Sequence, residues 1–448
     1  MQIIVLVFLC CLFALSVVSV RWMFAFSLVF FAFEVALEGT LEIFKSNLTL
    51  ANYIVGFTTL LSIGKSLPAQ ERPLSGYLNP VLFLTIIIFG WSILSLIWSP
   101  ALSNKFDTGS NIIISLWPQF ILTVILTPLL LRNIEDWKNV LPIFIFVGGA
   151  ICLMILLNPE FTFKNARIGA DLPGGLRTSP LAIGQVGGMI ALVGGLYLPS
   201  KNNVVKILYR VTCFLLGAWL ALSSGSRGQI LFAAILIVVF YPMSRKIKNL
   251  RSFATTVLGL ALLAIVGSII FEATSETEFN RWSDDAISRG ANIRYSFIFK
   301  LLSAFSTAPV SWIIGLGFNA FSSFGEIYGQ GYSHCTSVDI LTELGFPMFV
   351  AYVAALYLTV RSCIALFKHY QDDPSMRAAV AVLISMFTYQ FMLANKEGNL
   401  WSSTNLFLFM IIIVKFDMNL KIESIQTETD VLEAYPEEHT ALEYRSQS

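Results

Sequence analysis

The sequence predicts an all-α, polytopic membrane helix bundle of about twelve to fourteen spanning helices, with a long extracytoplasmic loop that carries amphipathic helices. Three observations make that prediction. Charge is sparse: of 448 residues, 13% are Asp, Glu, Lys or Arg and 56% are hydrophobic, whereas about a quarter of a soluble domain is charged. Apolar runs long enough to cross a hydrocarbon core, about 20 residues, recur along the chain. Basic residues gather in alternate short links, which is the bias that orients a membrane protein. The formal net charge of +1 gives no overall field to attract nucleic acid.

Taken in order, the apolar runs lie near 3–20, 22–37, 48–63, 80–98, 112–131, 139–157, 180–198, 204–223, 227–243, 253–271, 338–360, 378–394 and 400–415, which makes thirteen. The first three are short or closely spaced, so twelve and fourteen stay open. Residues 3–20 have no basic segment before them and no small-residue cleavage pattern after them, so they read as a retained span rather than a signal peptide. Trp22, Trp98, Trp137 and Trp401 sit at expected span ends, where tryptophans anchor to the interface.

Orientation follows from the links. Arg245, Lys246, Lys248 and Arg251 share one side with Lys201, Lys206 and Arg210, and with Arg361, Lys368 and Arg377. That side is expected to be cytoplasmic. Lys65, Arg72, Arg132 and Lys138 agree. The long loops 158–179 and 272–337 then face outward. The chain divides into N-terminal spans with the first outer loop (1–179), a membrane core with the second outer loop (180–418), and a polar tail (419–448). The tail has too little apolar surface to fold alone and is expected to be disordered and cytoplasmic.

Cys10, Cys11, Cys152, Cys213, Cys335 and Cys363 form no CxxC pair, which supports neither a disulfide framework nor a zinc site. No cofactor motif survives inspection. Gly315-Leu316-Gly317-Phe318-Asn319-Ala320 has the G-x-G-x-x-A spacing of a dinucleotide loop, but it lacks the strand–turn–helix context that the motif needs and reads as a tight turn.

Charge at the outer face is where chemistry is expected, because ionisable groups beside a bilayer are costly. Arg227 stands in a Ser223-Ser224-Gly225-Ser226-Arg227-Gly228 turn between two spans. It reads either as a snorkelling anchor or as a binding residue, and its position on the side poor in basic residues favours binding. Arg177 lies just before the Gly184, Gly187 and Gly188 span, whose glycines permit close helix packing. Ile293, Phe297, Leu301 and Phe305 recur every four residues, which predicts an amphipathic helix on the membrane surface or the bundle. Arg294 falls in its expected first turn, where a cation beside the positive end of the helix makes sense with an anion between them. His334 opens the next span and is the one side chain there that titrates near neutrality. Asp339 and Glu343, four apart on one helix face, could orient the imidazole or pair with an arginine. Arginines hold a diphosphate through bidentate bonds and stabilise the charge of a departing diphosphate, while a histidine takes a proton from an attacking hydroxyl. No metal site is indicated.

These residues resemble the bacterial O-antigen ligase and O-antigen polymerase superfamily over residues ~180–360. The resemblance is carried by the Ser226-Arg227-Gly228 turn, by the run from Arg294 through Pro309 to Phe321, and by the His-led stretch from His334 through Leu341-Thr342-Glu343-Leu344-Gly345-Phe346-Pro347. It implies an inverting, metal-independent glycosyltransferase in a bacterial inner membrane, working without a cofactor. The implied donor is a glycan on undecaprenyl diphosphate. The acceptor is lipid A–core for a ligase or another lipid-linked glycan for a polymerase, with polysaccharide-assembly proteins as further partners. It also implies that Arg227 and Arg294 hold the diphosphate, that Arg177 adds a further arginine, and that His334 is catalytic. Family members often carry Asn after this His. Here it is Cys335, so Thr336 or Ser337 would have to take that place. The rival class is a lipid-linked oligosaccharide transporter without catalysis, which would line a central cavity with its arginines instead of gathering them on one face.

Overall fold

The computed structural model describes residues 2–66, 79–103, 109–122, 127–164, 167–173, 177–197, 204–245, 284–324 and 333–434, with six positions between 253 and 265. The chain is an all-α membrane bundle. Its N-terminal half contains α1 (Gln2–Val18), α2 (Val20–Thr40), α3 (Glu42–Ser46), α4 (Leu50–Ser66), α5 (Pro80–Leu94), α6 (Gly109–Phe120), α7 (Thr127–Leu130) and α8 (Ile134–Leu157). A hairpin of β1 (Phe161–Lys164) and β2 (Arg167–Ala170) follows, then α9 (Pro180–Leu196), α10 (Val204–Ser223) and α11 (Arg227–Ser244). After them come α12 (Asp284–Thr307), α13 (Ser311–Ile314), α14 (Phe321–Phe324), α15 (Thr336–Leu344), α16 (Phe346–His369), α17 (Pro374–Ala394) and α18 (Thr404–Ala434). Among the described residues, seven helices are long and apolar enough to cross a membrane, and α1 and α9 are shorter apolar helices.

Three expectations are corrected and a fourth is only partly described. The run 112–131 is described as α6 to Phe120 with a π-helical turn at 121–122, and as α7 from Thr127, while residues 123–126 lie outside the described residues. Pro118 and Pro128 fall inside that run, and a proline supplies no N–H to the helical ladder. The run at 338–360 is split by Gly345, so its long helix is Phe346–His369. Trp137 and Trp401 are fully buried rather than at the interface. Their indole N–H groups donate to the Ala379 carbonyl at 3.0 Å and to Ser92 Oγ at 3.1 Å, which satisfies the polar handle that usually draws tryptophan to the interface. The polar stretch from Asn419, expected to lack structure, is helical to Ala434. It continues an established helix, so it needs no new nucleus, and Glu, Gln, Lys and Leu all propagate helix well. The span expected at 253–271 lies almost wholly outside the described residues, as do Arg281 and the chain beyond Ala434.

The glycine-rich α9 does what its composition predicts. A Cβ at Gly187 would lie 2.7 Å from the Gly217 carbonyl and the Ala221 amide of α10, so only glycine lets those backbones meet. The loop 158–179 contains a paired element, with Phe161 opposite Ala170 and Lys164 opposite Arg167.

One end of the bundle collects the C-termini of α2, α8, α10 and α17 and the N-termini of α9, α11, α16 and α18. This is the end that carries the site. The other end is tied by the Arg21–Asp136 ion pair at 3.0 Å, by Lys415 donating to the Leu131 carbonyl, and by Asn419 donating to the Arg132 carbonyl at 2.6 Å.

Candidate functional site

Three connections build the site. The first is the turn between α10 and α11. Ser224 and Gly225 close it by donating their amides to Leu220 O at 3.0 Å and Leu222 O at 2.9 Å. Gly225 takes φ +66, a conformation that glycine adopts without strain. Ser224 Oγ donates to Ala221 O at 2.7 Å and accepts the Ser226 amide at 3.2 Å. Ser226, at the start of α11, is buried and makes no side-chain cap bond, and Arg227 follows as the first helical residue.

The second connection joins α17 to α18 and reads Asn395-Lys396-Glu397-Gly398-Asn399. The Glu397 carboxylate is its hub. It accepts Ser226 Oγ at 2.6 Å and Gln229 Nε2 at 2.9 Å, and it pairs with the Lys396 ammonium. Lys396 also donates to Ser226 Oγ at 3.3 Å.

His334 comes from the third connection, just before α15. Its φ is +67, a left-handed conformation uncommon for a side-chain-bearing residue and a recurrent sign of strain held at functional sites. The surrounding bonds hold it there: Ser333 Oγ donates to Asp339 and accepts the Cys335 amide at 3.1 Å. The imidazole stacks on Phe297 of α12, with centroids 6.3 Å apart and planes at 14°, and it is hydrogen-bonded to the Glu397 main chain. Burial, reinforced by the Arg294 charge, pulls its pKa from 6.5 down to about 4. The ring is therefore neutral at physiological pH and able to accept a proton. Burial likewise draws the Lys396 pKa down, against the pull of Glu397.

Arg294 interacts electrostatically with Arg227, His334 and Lys396. The structure thus brings together Arg227, Arg294 and His334, from stretches 107 residues apart. Arg294 is not in a first helical turn, however, because α12 begins at Asp284. Its charge acts through proximity to the cluster, not through the helix end. The apolar stripe holds in part: Phe297, Leu301 and Phe305 are buried, while Ile293 is exposed.

Arg177 is engaged elsewhere. Its guanidinium donates to the carbonyls of Thr162, Lys164 (3.3 Å) and Gly169 (2.9 Å), and it lies 3.8 Å from Asp171. It clamps the β1–β2 hairpin. Among the described residues, Glu343 neither orients the imidazole nor pairs with an arginine. Its two carboxylate oxygens accept the amides of Asn319 at 2.9 Å and Phe321 at 3.1 Å, because a buried carboxylate takes the nearest donors. It thereby pins the 315–321 turn, whose Leu316 and Gly317 amides bind the Thr342 and Glu343 carbonyls, each at 2.9 Å. Asp339 acts one step back from the imidazole, through Ser333.

Lys396, Glu397 and Gln229 were not singled out from the sequence. The signal was the polar Asn395–Asn399 link between two apolar runs. The same link supplies an amide beside Cys335: Asn395 Oδ1 accepts the Ser337 amide at 3.2 Å and lies 3.6 Å from Cys335 Sγ. Thr336 is occupied by the Ala394 carbonyl at 2.9 Å and by Ser403 at 2.8 Å. Beside Glu397 lies a cavity of about 210 Å³ between α9, α11, α17 and the 398–403 turn. Among the described residues, no three His, Cys, Asp or Glu side chains gather as metal ligands do.

The chain matches no protein-family model, and no curated protein matches its sequence.

Proposed function

We propose that the protein is a membrane glycosyltransferase that moves a glycan from an undecaprenyl-diphosphate carrier to an acceptor hydroxyl during surface polysaccharide assembly, as an O-antigen ligase or polymerase of a bacterial inner membrane. The observation that carries this reading is the convergence of Arg227, Arg294 and Lys396 on a half-buried, neutral His334, with Glu397 paired to Lys396 beside them.

In this reading Arg227 and Arg294 grip the diphosphate with planar forks, and Lys396 adds a point charge. His334 takes the proton from the acceptor hydroxyl as its oxygen attacks the anomeric carbon. The bond from that carbon to the diphosphate breaks, the cations hold the charge left on the leaving group, and a single displacement inverts the anomeric centre. The stacking on Phe297 and the bond to Glu397 keep the ring in place for the transfer.

The test uses purified protein with the lipid-linked glycan alone, and then with lipid A–core added. Ladders from the glycan alone mark a polymerase, and product only with lipid A–core marks a ligase. Replacing His334 with Ala should lower the rate by about 10²–10⁴-fold, the usual weight of a positioned acid–base group. Undiminished assembly in H334A would favour a transporter or a binding role.

A further inference from the structure

The cavity beside Glu397 has the wrong chemistry for a diphosphate. Three glutamines from three helices converge on it: Gln185 of α9, Gln229 of α11 and Gln390 of α17. Asn399 and Ser402 close it from the turn before α18. Gln229 and Gln390 are only 1% and 3% exposed. Buried amides are costly in a membrane bundle unless they are hydrogen-bonded. Gln229 is satisfied by Leu181 O and Glu397. Gln185 Nε2 donates to Gln390 Oε1 at 2.7 Å, whereas among the described residues Gln390 Nε2 meets only the Met189 sulfur at 3.1 Å, a weak acceptor. Amide pairs also lock membrane helices together, but a lock alone needs no space beside it.

The space is about 210 Å³, room for about seven waters at ~30 Å³ each. That suits one sugar ring with its hydroxyls, not a lipid chain. The single charge on the wall, Glu397, is already paired with Lys396, so the site favours a neutral ligand. Glutamine amides both donate and accept, and a carboxylate is the strongest acceptor for a hydroxyl. Glu397 and Gln229 belong both to this wall and to the charged cluster, so a ring seated here would sit next to the diphosphate site.

We propose that this cavity is a sugar subsite, holding one neutral, hydroxyl-rich ring of the glycan beside the Arg227–Arg294–Lys396 cluster. The proposal rests on the transferase reading. The ring could belong to the donor or to the acceptor, and the test separates the two.

Binding to the purified full-length protein would be measured for three probes: bare undecaprenyl diphosphate, the lipid-linked glycan extracted from cells that make this protein, and the glycan released from it by mild acid. The variants are Gln390→Leu, which removes an amide, and Ala182→Leu, which fills the cavity without touching a polar group. Thermal melting of each variant reports folding, and if Gln390→Leu unfolds the bundle, Ala182→Leu carries the test. The expected result is unchanged affinity for the bare carrier. A loss of about tenfold confined to the lipid-linked glycan assigns the ring to the donor, and the same loss for the released glycan assigns it to the acceptor. Folded variants that bind all three probes like wild type would overturn the sugar subsite. Failure of the transferase reading looks different, because bare-carrier binding would then be absent in wild type or unaffected by Arg227→Ala.

Discussion

His334 is held neutral by its surroundings, and that sets how the protein should respond to pH. Burial and Arg294 lower its pKa to about 4, so the imidazole keeps its proton-accepting form well below 6.5. Transfer should therefore show no acid limb near 6.5 and should fall only as the pH drops through about 4. Arg294→Ala removes one of the two main causes of the shift, so any residual activity should have its acid limb displaced upward. A pH–rate profile of the two proteins checks this, and identical limbs would mean that Arg294 does not act on the imidazole. Stability follows the same sign. Between about 4 and 6.5 the unfolded chain binds a proton at His334 that the folded chain does not, so this group makes the fold more stable as the pH rises through that window. The arginines make a separate prediction at this scale. Lysine keeps the charge but loses the planar fork, so Arg227→Lys and Arg294→Lys should each weaken binding of undecaprenyl diphosphate by about tenfold or more, as titration of the purified variants would show. Full affinity in both would argue for a purely structural use of the charge.

Among elements, the joint between the 315–321 turn and α15 positions His334 from a distance. Gly315 (φ +80, ψ 173) and Gly345 (φ +89, ψ 169) occupy backbone space that is essentially closed to other residues. A Cβ at Gly345 would lie 2.5 Å from the Ile313 carbonyl. Gly345→Ala should cost about 1–3 kcal/mol from the backbone alone, seen as a lower melting temperature. Glu343→Gln replaces one of two acceptors with a donor that faces an N–H, a further cost of about 1–3 kcal/mol. Activity lost without any drop in melting temperature would mean that these residues touch the chemistry directly. This element also shows where sequence reading stops. The helix face shared by Asp339 and Glu343 was legible from their spacing of four, but the partner of a buried acid is set by which amides the tertiary fold brings near. The Gly-x-Gly turn was legible as a turn because its context excluded a nucleotide loop. The Lys396–Glu397 pair was hidden for a different reason: a five-residue polar link between spans looks the same whether it faces water or closes a site. Arg177 carried the same sequence signal as Arg227, a cation at a span end, yet the structure uses it to clamp hairpin carbonyls. The arginines that gather at the site and the one that does not could not be separated by position alone.

For the whole molecule, the argument turns on which end of the bundle faces which compartment. Apolar runs were legible because their length is fixed by the bilayer, and helices stand at the expected positions within the described residues, apart from the displaced start at Phe346. The chain's alternation places Arg227, His334 and Lys396 at one end, while Arg21, Arg132, Lys138, Arg361, Lys368 and Arg377 border the other. The basic end is expected in the cytoplasm, which would put the site on the outer face, the side that the proposed transfer requires. Ser402 is exposed at the site end and Gln371 is exposed at the basic end. In a background lacking the native cysteines, Ser402→Cys should react with a membrane-impermeant thiol reagent in intact cells, and Gln371→Cys only after the membrane is opened. The opposite pattern would place the site in the cytoplasm, where this transfer would have no outward-facing glycan to act on. Equal labelling of both positions in intact cells would instead point to a water-filled path through the bundle, the arrangement expected of a transporter.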